Sequence, residues 1–405
     1  MIRPEKQRIA EWEATLPELS RKHLRIAAER IAAAKEKGLA VAVVTGSGPN
    51  IHEGVTTLIA ELIRRCVVDG VLTSSAVVAH EMAGTLDRVR RIRPSAGEFP
   101  SIPAFLLPRG GVFEITELNP EQRAAISAEM QDGWDLWECI NAHGGTSLIK
   151  AAGNMAWPMG PRTERLAREA EALARARRLP LERIAGSGAD PRTMIGAGTE
   201  CNVPVLVSIP QLVGGGEVGL AIGDSIPITD RSRLVAETLA KADVIIESAI
   251  ALSQEVHDGP FELYTGHGIW SAWEGRYSYS LADKTLVRID LDANLERSWR
   301  LERESAQVQR AVDRGLPKTK VTGIPFRMEM SGFARLEGSL PVTADIGVAW
   351  PVLASHLEEF LGFQLDFISA PQETSEGQKM RAWIADNVRP IDRARMLQVS
   401  AGVSR

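Results

Sequence analysis

Residues 41–82, VAVVTGSGPNIHEGVTTLIAELIRRCVVDGVLTSSAVVAHEM, decide how this chain folds. The apolar run Leu39–Val44 is too short for a helix and rich in β-branched residues, the pattern of a buried parallel strand. Val55, Leu58, Ile59, Leu62, Ile63 and Cys66 then recur at helical spacing and form one apolar stripe. Asp69-Gly70 ends that helix, and Val71-Leu72 opens a second strand. A strand–helix–strand unit of this kind brings its two turns, Thr45–Gly54 and Thr73–Glu81, to the carboxyl ends of adjacent parallel strands, where open α/β sheets bind ligands. Gly46, Gly48 and Gly54 permit close approach of backbone N–H groups to a phosphate. Ser47, Asn50, Thr73, Ser74 and Ser75 supply hydrogen bonds to phosphate or ribose oxygens. The stretch is a candidate nucleotide site.

A second unit of the same kind follows at 203–248: VPVLVSI as strand, GGGEVG as turn, DRSRLVAETLAKA as helix and DVIIESA as strand. Two such units predict an α/β fold built on one doubly wound, mostly parallel, Rossmann-like sheet. Gly214, Gly215, Gly216 and Gly219 spell G-x-G-x-x-G, but LAIGDSIPIT separates them from the next helical pattern. They are expected to form a turn that either approaches a ligand or stays mobile, not a dinucleotide fingerprint. Residues 3–37 are rich in helix formers and predict an N-terminal helical segment, 1–38. The catalytic domain is expected at 39–284, and the mixed short patterns of 285–405 suggest a C-terminal α+β extension.

The chain has 405 residues, 44% hydrophobic and 24% charged, with a formal net charge of −5, so a folded domain of ordinary composition is expected and a nucleic-acid partner is not. The basic run Arg88–Arg93 is local and stops at Pro94. Cys66, Cys139 and Cys201 lack metal-ligand spacing and suggest a reducing compartment, with neither disulfide framework nor zinc. No segment reaches the apolar length needed to span a bilayer, and the first residues lack a signal-peptide core; a cytoplasmic location without membrane contact is expected.

His52, His80 and His267 lie in polar or glycine-bearing patterns, where an imidazole suits proton transfer near neutral pH. Glu81 stands beside His80 as an orienting carboxylate. A metal at this pair lacks a third ligand at helical spacing, so none is expected. Gln254–Arg276 concentrates Glu255, Asp258, Glu262, His267, Trp270 and Trp273. Carboxylates beside indole faces suit an amine, which the acids pair with and the rings cover; the alternative is a lid whose tryptophans pack the core.

These residues resemble the NAD-binding domain of the deoxyhypusine synthase superfamily, including the cofactor domain of archaeal ornithine cyclodeaminases. The cyclodeaminase turn G-P-x-x-x-H-T-G is similar to Gly48–Gly54 with one residue deleted, and A-V-H-D-I-E to the segment Ala79-His80-Glu81-Met82. The deoxyhypusine synthase segments T-A-G-G, N-I-P-V-F, T-D-G-S-L-G-D and Q-E-F-D-G are similar to Thr73–Ala76, Asn202–Leu206, Val213–Gly219 and, with one extra residue, Gln254–Gly259. The likeness covers roughly residues 20–280. It implies NAD as cofactor, a small amine or amino-acid substrate, a homotetramer, and transient oxidation followed by deamination, elimination or cyclisation. One departure matters. Where deoxyhypusine synthase carries the lysine of S-W-G-K, this chain ends the similar stretch with Arg276, which stays protonated and forms no imine. An aminoalkyl transferase is then an alternative only if Lys284 substitutes, and a non-catalytic NAD-binding protein is the other.

Overall fold

The computed structural model describes residues 2–92, 113–116, 120–129, 159–212, 214–248, 283–290, 293–316, 318–324 and 339–402. The chain divides into two compact units, one comprising Met1–Thr73, Val203–Ser208 and Thr229–Met380, the other Ser74–Asn202, Ile209–Ile228 and Arg381–Arg405.

The strands are β1 (Ala40–Thr45), β2 (Gly70–Thr73), β3 (Val89–Ile92), β4 (Phe113–Thr116), β5 (Val205–Val207), β6 (Ala242–Ser248), β7 (Thr285–Asp290) and β8 (Ser339–Thr343). Six of them form the sheet of the first unit, in the order β5-β2-β1-β6-β7-β8, and all its pairings are parallel. Numbered by their own sequence, these strands run 3-2-1-4-5-6, the dinucleotide-fold order whose direction of winding reverses between β1 and β6. Val41, Val43, Val44, Val71, Leu72, Val244, Leu286 and Val287 are buried, as strands covered on both faces require.

The expected boundary at 284/285 falls between β6 and β7 of one sheet. Residues 285–405 therefore supply two of its six strands; they are not an appendage to it. Short strands with polar ends conceal this membership, because each is recognisable only by the partner it pairs with. The N-terminal helices, Lys6–Thr15 and Glu18–Glu36, are present as expected. The second of these serves the far end of the sheet: Ser20 Oγ donates to the Thr343 carbonyl at 3.0 Å and accepts the Thr343 N–H at 3.1 Å. Backbone groups of β8 that no strand pairs are satisfied in this way.

The helix Val55–Arg64 buries Val55, Leu58, Ile59, Leu62 and Ile63 completely. Cys66 lies beyond that helix, exposed and with a φ of 57°, so it is not part of the stripe. Gly54, at φ 73°, precedes the helix, and a β-carbon there would lie 2.5 Å from Met380 Sδ. The left-handed backbone favours glycine here, and any side chain would also have to displace Met380.

The second unit is mainly helical, with Ser75–Met82, Met159–Arg177, Leu181–Gly188, Met194–Glu200, Gly216–Ser225 and Arg393–Gly402, beside the antiparallel pair β3–β4. The basic run is thus largely a strand. No helix among the described residues is long and apolar enough to cross a membrane.

Candidate functional site

In the first unit, register sets Thr45 opposite Ser248 across β1 and β6, and Thr73 opposite Val207 across β2 and β5. The carboxyl edge is therefore lined in order by Ser208, Thr73, Thr45 and Ser248. The hydroxyls of Ser208, Thr73 and Thr45 are buried and have no hydrogen-bond partner among the described residues. Buried polar atoms are as a rule satisfied; other hydroxyls, such as those of Thr56, Thr85 and Ser298, also have no partner among the described residues, but these three share one edge of the sheet. They fit a polar ligand laid along this edge. Gly46 follows β1 and caps the helix Ser47–His52 without any side-chain hydrogen bond, leaving the first N–H groups of that helix without a side-chain cap.

Beside them is a closed polar clasp. Asn50 Nδ2 donates to the carbonyls of Gly46 at 2.6 Å and Ser248 at 2.7 Å; Ser248 Oγ donates to Asn50 Oδ1 at 2.8 Å. Trp350 Nε1 donates to Ser248 Oγ, also at 2.8 Å. Asn50, expected to contact a cofactor, has both amide hydrogens committed to carbonyls and holds the two switch-point strands together instead. Its neighbour Glu53 is buried, accepts the Gln372 N–H at 2.7 Å, and is pushed up to about 7 by burial, with Asp345 adding repulsion and the Gln372 N–H opposing both.

His52 closes the helix that leaves β1 and is half-buried. Gly48, on that helix, has ample room, since a β-carbon there would come no closer than 3.8 Å to His52 Cδ2.

In the second unit, Ser74 caps the helix Ser75–Met82 by accepting the Val77 N–H at 3.4 Å, and Ser75 Oγ accepts the Gln211 N–H at 3.1 Å. His80 and Glu81 therefore stand on a helix and not in a turn. His80 lies about 9 Å along the axis from Ser74 at 1.5 Å per residue. The two do not act as a pair. His80 Nδ1 lies 3.3 Å from the Thr85 carbonyl, whereas Glu81 is completely buried and accepts the N–H groups of Met194 at 2.8 Å and Ile195 at 3.0 Å. Burial pushes Glu81 up to about 7, against the two N–H bonds. It is the anchor of the helix Met194–Glu200, and orienting His80 is not its work.

The glycine run also departs from expectation. Gly216 begins the helix Gly216–Ser225 directly, so strand, glycine turn and helix follow one another after β5. Yet the Glu217 N–H is taken by Glu164 Oε1 at 3.3 Å, and a β-carbon on Gly216 would lie 2.5 Å from that oxygen. A carboxylate of the protein already occupies the position a phosphate would take. Gly216 serves this contact, whereas a β-carbon on Gly215 would lie 2.5 Å from Ser75 Cβ and one on Gly214 3.4 Å from Ala76 Cβ.

Lys284 Nζ donates to the carbonyls of Ala240 at 2.9 Å and Ala242 at 2.5 Å, at the start of β6. β6 spans about 20 Å to Ser248 at 3.3 Å per residue, so Lys284 is on the opposite edge from the clasp. Glu255, Asp258, Glu262, His267, Trp270 and Trp273 lie outside the described residues. No group of His, Cys, Asp and Glu suited to a metal occurs among the described residues. Sequence reasoning missed Thr45, Ser208, Ser248 and Trp350. The first three carried a signal, a hydroxyl residue where an apolar strand ends; Trp350, about a hundred residues away from Ser248, carried none.

No protein-family model matches the chain, and no curated protein does. Among solved structures it is similar to ArgZ, an arginine dihydrolase from the ornithine-ammonia cycle in Cyanobacteria, at 12% identity and TM-score 0.41, over 83% of this chain and 31% of that one. It is similar to AgrE in its ternary complex with ornithine and NAD+ at 13% identity and TM-score 0.40, over 89% and 35%. A conserved LOR/SDH protein from Methanococcus maripaludis S2 is similar at 12% identity and TM-score 0.40, over 86% and 72%. The chain spans about a third of the length of ArgZ and AgrE, and at these scores the likeness assigns it no activity.

Proposed function

We propose that this chain is an NAD-dependent enzyme acting on a small amine or amino acid. The observation that carries the reading is the all-parallel 3-2-1-4-5-6 sheet with the unpartnered hydroxyls of Thr45, Thr73 and Ser208 on its carboxyl edge. These hydroxyls, with the uncapped N–H groups after Gly46, would hold the dinucleotide. Bound there, NAD supplies hydride transfer; the protein supplies orientation and proton movement.

Proton transfer is assigned to His52, which closes the helix that leaves β1 at the strand edge, with His80 retained as a candidate. Glu255, Asp258 and Glu262, with Trp270 and Trp273, keep their proposed role as the acidic and aromatic groups for the ammonium, and His267 as a second acid–base group. Oxidation of the C–N carbon, followed by deamination, elimination or cyclisation, is the reaction class. The aminoalkyl transferase is disfavoured because its imine carrier, Lys284, is engaged at the other edge of the sheet.

Mass analysis of purified protein for bound NAD, then product screening with amines and amino acids, tests the reading. His52→Ala is expected to retain NAD and lose turnover by about a hundredfold. Failure of the wild-type chain to bind NAD by calorimetry overturns the reading; NAD binding without turnover of any amine leaves a non-catalytic binder.

A further inference from the structure

A cavity of about 410 Å³ lies wholly within the second unit, a size suited to a small metabolite. Its wall includes Arg162, whose side chain is only 4% exposed. Nε of Arg162 donates to Glu129 Oε2 at 2.7 Å and Nη2 to the Ile391 carbonyl at 2.8 Å, while Nη1 is buried without a hydrogen-bond partner among the described residues. A guanidinium is always charged, and an unmet N–H on it in the interior is unfavourable. Fixed by two partners, it holds the unmet Nη1 in one orientation, where it can donate to an oxygen of a bound anion.

The rest of the wall selects among anions. Arg192 and Arg389 accompany Arg162, but Glu121, Glu129, Asp386 and Asp392 also line the cavity, one more carboxylate than guanidinium. Such a wall repels a phosphate dianion and accommodates a ligand whose second charge is positive. Arg192 is itself committed to Asp190, by Nε at 2.8 Å and Nη2 at 2.6 Å, and Asp386 to Arg88 at 2.6 Å, which leaves Glu121, Glu129 and Asp392 against Arg162 and Arg389. Glu121, on the exposed rim, is 3.7 Å from Arg389.

We propose that this cavity binds a small monocarboxylate that also carries an amino group, with the Arg162 guanidinium taking the carboxylate and the acidic rim taking the ammonium. All the residues of this site belong to the second unit, and the inference does not rest on the function proposed above.

The test is calorimetric titration of the full chain at low salt with 6-aminohexanoate, hexanoate, hexylamine and inorganic phosphate. 6-Aminohexanoate is expected to bind, hexanoate more weakly, and phosphate not at all. Arg162→Lys is expected to weaken both carboxylates about tenfold or more, because an ammonium does not reproduce the guanidinium's three-sided contacts. Glu121→Gln, on the exposed rim, should weaken 6-aminohexanoate a few-fold and leave hexanoate unchanged. Absence of 6-aminohexanoate binding, phosphate binding as tight, or unaltered affinity in Arg162→Lys overturns the proposal. If Arg162→Lys does not fold, unaltered 6-aminohexanoate affinity in Glu121→Gln overturns it. NAD affinity measured on the same samples separates failure here from failure of the nucleotide reading.

Discussion

Asn50 and Ser248 exchange hydrogen bonds across the point where the sheet reverses its winding, Asn50 Nδ2 to the Ser248 carbonyl at 2.7 Å and Ser248 Oγ to Asn50 Oδ1 at 2.8 Å. β1 and β6 are separated by nearly two hundred residues of chain, and this reciprocal pair joins their ends. Asn50→Ala strands the Gly46 and Ser248 carbonyls in the interior and is expected to cost about 2–4 kcal/mol. Urea unfolding measures it; a loss under about 0.5 kcal/mol would mean the clasp is incidental.

The hydroxyls of Thr45 and Thr73 lead to an opposite expectation. Each is buried without a partner among the described residues, so Thr→Val at either position removes no bond from the protein alone. Stability without ligand should hold or rise slightly, while NAD affinity falls about tenfold per substitution, the worth of one hydrogen bond. A matched pair of thermal melts and NAD titrations decides this. Unchanged affinity in both variants would remove the hydroxyls from the site.

Glu53 ties stability to pH. Its folded carboxyl sits at about 7, above an ordinary value of 4.5, so folding favours the protonated form. The contribution is fully present below about pH 4.5, declines as pH rises through 7 and is constant above that. Glu81, raised to about 7 as well, acts in the same window. Glu53→Gln should therefore make the fall in urea midpoint between pH 4.5 and 7 shallower without abolishing it. A slope equal to that of wild type would refute the assignment.

Lys284 provides a chemical control. Borohydride added during turnover with an amine should trap no adduct on it, and Lys284→Met should keep turnover while losing about 1–2 kcal/mol of stability from its two carbonyl contacts. An adduct at Lys284 would restore the transferase reading.

The central strands and the helix Val55–Arg64 were legible because burial on both faces produces unbroken apolar runs and burial on one face produces helical spacing. β7 and β8 were not, since LVRID and SLPVT are short and partly polar and become sheet only through the neighbours that pair with them. His80-Glu81 was legible as a pair in sequence and misleading as a pair in space. Adjacent helical residues point about 100° apart, so Glu81 turns to Met194 and Ile195 while His80 turns to Thr85.

By itself, the sequence determined the α/β class, the central strands and the main helix after each, properties of local periodicity that each segment carries alone; the turns between them proved to hold the short helices Ser47–His52 and Gly216–Ser225. Tertiary structure decided the strand order, the partners of Asn50, Glu81 and Lys284, and which hydroxyls are left without one. Those depend on contacts between residues tens to hundreds of positions apart, and a hydrogen bond closed by a distant partner leaves no trace in local spacing.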